Sequence, residues 1–253
     1  MTIPAKDTVL LLAAFVLSFA GCSEDELLQM LDGPGDITVC TDFGTFIHSE
    51  GYVETPGSAR RSALAGDYLY VADGTAGVQV IDVGDPDRPV IVGVVDTPGN
   101  ATDIGVSGSV IVVADAFGGI QVLERSNPEQ PVPVDTLGSS TARGVAVRDT
   151  LAYVAAEGLG LLVLGLSDPL SPRVLAVENT VGSAQDVVLH GDVAFVSDQV
   201  LGLRVVDIRV PTAPDTMAVL PLSGTLRGID IHPATSTLFI AAGREGVHVI
   251  DVG

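Results

Sequence analysis

Five dipeptides set out the chemistry this chain can attempt: Arg60-Arg61, Thr102-Asp103, Arg143-Gly144, Gln185-Asp186 and Arg227-Gly228. They recur at nearly regular spacing and alternate guanidinium with carboxylate. A guanidinium is a planar fork that meets a carboxylate through two parallel N–H···O bonds. If the fold gathers Arg61, Asp103, Arg143, Asp186 and Arg227 round one mouth, two arrangements are open. One is a self-satisfied ring of ion pairs, and the other is a polar funnel for a carboxylate-bearing ligand.

The remaining polar residues offer less. Asp73, Asp115 and Asp198 close apolar runs ahead of Gly77, Gly119 and Gly202. Asp in such a place is expected to accept hydrogen bonds from the backbone of the turn that follows. Asp82, Asp207 and Asp251 suit the same task at later strand ends. His190 and His232 hold equivalent places in two units, but the matching positions are Ala65, Ser107 and Arg148. A metal site wants three or more ligands. There is no HExxH, G-x-S-x-G, phosphate loop or paired zinc spacing, so neither metal nor cofactor is expected. Paired carboxylates for glycoside cleavage are conceivable in so acidic a chain. Trp is absent, however, and aromatic residues make up only 4%, which weighs against sugar sites built on aromatic faces.

The elements that must position these residues come from an internal repeat. Gly77, Gly119, Gly160, Gly202 and Gly246 each precede a β-branched segment, at steps of 42, 41, 42 and 44. A second ladder, Gly57, Gly99, Gly138, Gly182 and Gly224, marks the turn before each unit. Near-continuous apolar runs such as 68–73 and 110–115 lie between the two ladders and suit strands buried on both faces. Four short strands in a period of ~40–45 residues belong to propeller blades. No amphipathic helical spacing competes with that reading.

Strand bookkeeping predicts an all-β, five-bladed β-propeller of four-stranded antiparallel blades over 43–253. The last unit stops after its third strand, whereas 45–53 aligns with the fourth strand at 90–95. The N-terminal strand is therefore expected to complete the last blade beside 247–251, which also removes exposed edges. An open array that pairs with another copy is the competing arrangement.

The motifs Tyr-Val-Ala-Asp (70–73), Gly-Val-Gln-Val-Ile-Asp-Val (77–83) and Asp-Pro-Asp-Arg-Pro-Val-Ile-Val-Gly (85–93) resemble the LVIVD repeats of bacterial and archaeal surface proteins. The resemblance extends over about 43–253. The third unit departs from it, with Ala156 where Asp73 and Asp115 stand and Gly165 where Asp82 stands. Membership implies a β-propeller outside the cytoplasm and implies no particular reaction.

Composition narrows the partners. The formal net charge is −20, and the one Lys is Lys6. Such a chain repels phosphate backbones and anionic membrane surfaces, so nucleic acid is not an expected partner. The apolar run 9–17 is too short to span a bilayer and fits the core of a signal peptide over 1–21. Phe19-Ala20-Gly21-Cys22 resembles the lipobox of bacterial lipoproteins, which implies cleavage before Cys22 and a lipid on its thiol. Ser23 resembles an outer-membrane address. Residues 22–42 then read as an acidic tether. Plain secretion, with a Cys22–Cys40 disulfide, is the alternative.

The reading as a whole is an envelope lipoprotein, expected to be monomeric, that binds or scaffolds a protein or small ligand without catalysis. The alternatives are an extracytoplasmic hydrolase or lyase on the same face, and a purely structural envelope component.

Overall fold

The computed structural model describes residues 51–138, 140–179 and 182–253. Cys22, Cys40, the expected signal peptide and tether, and 45–50 of the expected N-terminal strand lie outside the described residues. Contacts divide the chain into Met1–Glu50 and Gly51–Gly253, and the second unit carries all the described strands.

Those strands form five antiparallel meanders in chain order. The first sheet is β1 (Arg61–Ala65), β2 (Tyr68–Ala72), β3 (Val78–Asp82) and β4 (Val90–Val95). The second is β5 (Asp103–Ser107), β6 (Val110–Ala114), β7 (Ile120–Glu124) and β8 (Val132–Leu137). The third comprises β9 (Thr141–Arg148), β10 (Leu151–Glu157), β11 (Gly160–Gly165) and β12 (Arg173–Glu178). The fourth comprises β13 (Ala184–His190), β14 (Val193–Asp198), β15 (Gly202–Asp207) and β16 (Asp215–Leu220). The fifth has three strands, β17 (Ile229–His232), β18 (Thr237–Ala241) and β19 (Val247–Asp251).

Local chemistry explains the meander. β1 and β2 are joined by the two residues Gly66-Asp67, and Gly66 has φ 65°. That left-handed conformation matches the twist of a tight hairpin. The middle strands β6, β10 and β14 are buried on both faces, as their unbroken apolar runs require.

Sheets stack face to face in sequence. Tyr70, Val78 and Val80 of the first pack with Ile104, Ile111 and Leu123 of the second, and equivalent clusters join second to third, third to fourth and fourth to fifth. The fold is thus all-β and propeller-like, with its core between the blades rather than within one sheet.

The fifth sheet breaks the pattern on one side. By register Phe239 matches Tyr70, Tyr153 and Phe195. Those three are at most 4% exposed, whereas Phe239 is 42% exposed, with Val247 and Val249 beside it above 60%. Leu64, on β1, is similarly bare. Of the segment expected to pair with β19, residues 51–53 are described and form no bridge to it. They run instead beside the first sheet, where a Cβ on Gly51 would collide with the Pro86 carbonyl. Gly93 of β4 abuts the Glu129 carbonyl of the second sheet in the same manner. Residues 51–57 therefore approach the first sheet much as the end of β4 approaches the second.

Candidate functional site

The five inner strands β1, β5, β9, β13 and β17 begin at one end of the sheets. The ladder register identifies equivalent positions: Arg61 faces Ala72, Asp103 faces Ala114, Gly144 faces Ala155 and Asp186 faces Ser197. In the fifth sheet the Ala241 N–H donates to the Gly228 carbonyl. The inner positions are thus Arg61, Asp103, Gly144, Asp186 and Gly228.

Two of the arginines expected here stand one residue out of step. In the third sheet the register jumps past Arg143, which sits in a β-bulge. A bulge re-aims its side chain. The Arg143 guanidinium turns to Glu157 of its own sheet at 2.9 Å. Arg227 is exposed just ahead of β17 and enters no ion pair among the described residues. Gln185 is bypassed as Arg143 is, and this keeps Asp186 facing inward. Of the expected ring, the fold brings together Arg61, Asp103 and Asp186.

The two aspartates have matching duties. Asp103 accepts from the Ile104 N–H through Oδ1 and from the Val145 N–H, one sheet on, through Oδ2, both at 2.8 Å. Asp186 accepts from Val187 at 2.9 Å and from Ile229, one sheet on, at 3.2 Å. Each carboxylate therefore bolts an inner strand to the next. The Arg61 guanidinium donates through Nη2 to Asp186, three sheets away in sequence, while its Nε lies 4.0 Å from Asp103.

Space and solvation shape the electrostatics. A Cβ on Gly144 would stand 2.6 Å from Asp186 Oδ1 and 2.7 Å from its Cα, so the carboxylate occupies the room a side chain would take. A Cβ on Gly228 would stand 4.0 Å from Arg61 Nη2. Burial pushes the Asp103 carboxyl up from 3.8 to about 6; backbone donation from Val145 opposes this, and the nearby Asp186 charge adds to it. Burial likewise raises Asp186, against the pull of Arg61. Both carboxylates are enclosed, whereas the Arg61 side chain is 48% exposed. Chemically, this arrangement is a half-exposed guanidinium held by two enclosed carboxylates, which are themselves engaged by backbone N–H groups.

Asp73 and Asp115 do something other than expected. They accept from the connector before their sheet, not from the turn after their strand. Thr55 Oγ1 and the Gly57 N–H donate to Asp73 at 2.7 and 2.8 Å; Thr97 and Gly99 do the same to Asp115, both at 2.8 Å. Asp198 does serve the following turn, through the N–H groups of Val200 and Leu201. The repeated Thr-Pro-Gly, with Asp eighteen positions after each Thr, is the signal that discloses this latch. The histidines stay apart from the mouth: His190 meets Ser236 at 3.3 Å and His232 meets Thr235 at 3.0 Å.

The LVIVD repeat model matches residues 56–97, 98–136, 139–178 and 181–219, well over half of the chain. The chain belongs to the LVIVD repeat family. The four LVIVD matches coincide with the four complete sheets, and the third is included despite Ala156 and Gly165. β17–β19 lie beyond the last match and yet repeat the same meander. No curated protein matches the chain.

Solved structures share the fold at low identity. The computationally designed Ika8 protein matches with TM-score 0.58 at 10% identity, over 77% of this chain and 58% of Ika8. The designed Ika4 protein gives 0.52 at 11%, over 64% of this chain and 98% of Ika4. A candidate 6-phosphogluconolactonase from Bacteroides fragilis gives 0.62 at 12%, over 75% of this chain and 65% of that one. The LVIVD chain thus spans less than two thirds of Ika8 and of the Bacteroides protein.

Proposed function

We propose that this LVIVD protein is a non-catalytic binding or scaffolding module of the cell envelope that takes a carboxylate-bearing ligand or protein partner at the mouth around Arg61. The observation that carries the reading is the state of that guanidinium. It is nearly half exposed where the inner strands converge, its Nη2 donates to Asp186, and the acids beside it are also held by backbone N–H groups. A hydrolase or lyase needs a carboxylate free to exchange a proton with substrate. Asp103 has an acid's pKa range but both its oxygens accept backbone hydrogen bonds, and its side chain is 10% exposed. Binding is therefore favoured over catalysis.

The proposed frame is a five-bladed ring whose last blade is completed by the strand at 45–53. Three observations support it. Arg61 of the first sheet reaches Asp186 of the fourth and neighbours Gly228 of the fifth. Residues 51–57 approach the first sheet as a preceding blade's fourth strand does. Phe239, Val247, Val249 and Leu64 are bare where a closed ring buries them, and exposed apolar patches mark surfaces meant to be covered. Attachment is assigned to a lipid on Cys22, with the protein monomeric at the outer membrane or cell surface. Its support is the apolar run 9–17 followed by Ala20-Gly21-Cys22. Two acyl chains suffice for stable anchoring where one does not.

The test uses the arginine Nε–Hε resonances of ¹⁵N-labelled protein titrated with succinate. Arg61 is expected to shift saturably, and Arg61→Gln to abolish the response elsewhere in the spectrum. Equal shifts at exposed Arg209, or none at Arg61, contradict the site. For the anchor, Cys22→Ala is expected to move the protein from membranes to the soluble fraction, and unchanged retention contradicts it.

A further inference from the structure

Resting on the reading of the mouth as a carboxylate site, we infer that the bound group is the C-terminal carboxylate of a peptide whose last residues are apolar. The inference comes from the turns between second and third strands, which ring the same end of the sheets. Their tips, at matching steps of the repeat, are Thr75, Phe117, Gly158, Val200 and Arg244. Phe117 is 85% exposed and Val200 71%. They belong to the second and fourth sheets, the two that supply Asp103 and Asp186.

Both tips are held rather than loose. Ala116 has φ 46°, a left-handed conformation filled by glycine at the equivalent Gly74 and Gly243. Such strain in a non-glycine residue persists only where the surroundings enforce it. Ala116 is bridged through both N–H and C=O to Ala142, the neighbour of Arg143, so Phe117 is fastened at the rim. The Val200 N–H is tied to Asp198 at 2.8 Å, and Gln199 donates to Ser183, just ahead of the β13 start. An exposed aromatic tip on a fixed backbone, at the same end of the sheets as the half-exposed Arg61 guanidinium, is a contact surface for an apolar group attached to an anion.

The rim between the tips decides the kind of ligand. It carries Thr75, the Arg143–Glu157 pair and Arg244. A hydrocarbon chain leaving Arg61 between the tips would strip water from those groups without replacing its hydrogen bonds. A peptide main chain brings its own donors and acceptors. Capture of a terminal carboxylate with side chains in flanking apolar contacts is an established mode of peptide recognition.

Fluorescence anisotropy with labelled Gly-Ser-Gly-Leu-Val-Phe tests the inference. The free acid is expected to bind about tenfold tighter than its C-terminal amide, and about fivefold tighter than Gly-Ser-Gly-Ser-Asn-Ser as free acid. Combining Phe117→Ser with Val200→Ser brings the apolar-ended peptide down to the polar-ended one and leaves the latter unchanged. If the two free acids bind alike, or the double variant changes nothing, the inference fails. Loss of binding in Arg61→Gln then still upholds the mouth. Equal affinity of acid and amide, or no binding by any peptide, overturns both. Laurate displacing the probe more effectively than unlabelled peptide overturns the peptide assignment alone.

Discussion

Asp186→Ala is expected to lower the free energy of unfolding by about 3 kcal/mol, read as a fall in urea midpoint at unchanged slope. The Asp186 side chain is only 6% exposed and accepts from the Val187 and Ile229 N–H groups as well as from Arg61. Truncation leaves two enclosed donors without a partner, each costing ~1–3 kcal/mol. Arg61 loses its ion pair too, but at 48% exposure it rehydrates and adds little. Relief of the carboxylate's own desolvation offsets part of the loss, which brings the two-donor sum of ~2–6 kcal/mol down to about 3 kcal/mol. Asp186→Asn keeps one acceptor and should cost roughly half as much. A loss below about 1 kcal/mol for Asp186→Ala would mean that the bolt between the fourth and fifth sheets is not what holds β17 in place.

Stability is expected to rise as pH falls from 7 to 5, the reverse of ordinary acid loss. Asp103 titrates at about 6 when folded and near 3.8 otherwise. Between those values the folded state binds the extra proton, so protonation favours folding, and the gain is lost again as pH rises through 6. From pH 7 to 5 this one group contributes about 1 kcal/mol. Asp186 and Asp115 are raised in the same direction by burial and add to it. Lowering a net charge of −20 also reduces self-repulsion. Unfolding midpoints measured at pH 5, 6 and 7 check the sign, and Asp103→Asn should flatten the profile. A wild-type midpoint that falls steadily over this range would contradict the buried, raised state of these acids.

The blades were legible because their signals are local and repeated. The glycines at 77, 119, 160, 202 and 246 set the spacing, and runs such as Val110–Ala114 showed continuous burial. The mouth was only partly legible. The dipeptide register set Arg143 and Arg227 in line with Arg60, one place before Arg61, and the expected ring took the charged member of each pair. Only one member of each pair can face inward, and the bulge at Arg143 leaves Gly144 at the inner position. Nothing in side-chain chemistry announces such a bulge. The partners of Asp73 were misjudged for a different reason. Proximity along the chain favoured the following turn, whereas the meander folds Thr55 and Gly57 back onto it from sixteen to eighteen residues away.

The mouth has five sides only if the array closes, and one cross-link examines that directly. Val53 and Val247 occupy the places that Val95 and Val78 hold as facing partners in the first sheet. With Cys22 and Cys40 changed to Ser, Val53→Cys combined with Val247→Cys is predicted to oxidise within one chain, giving a faster-migrating monomer on a non-reducing gel. Thiols that stay free under oxidant, or that join only two copies to each other, would contradict the closed ring.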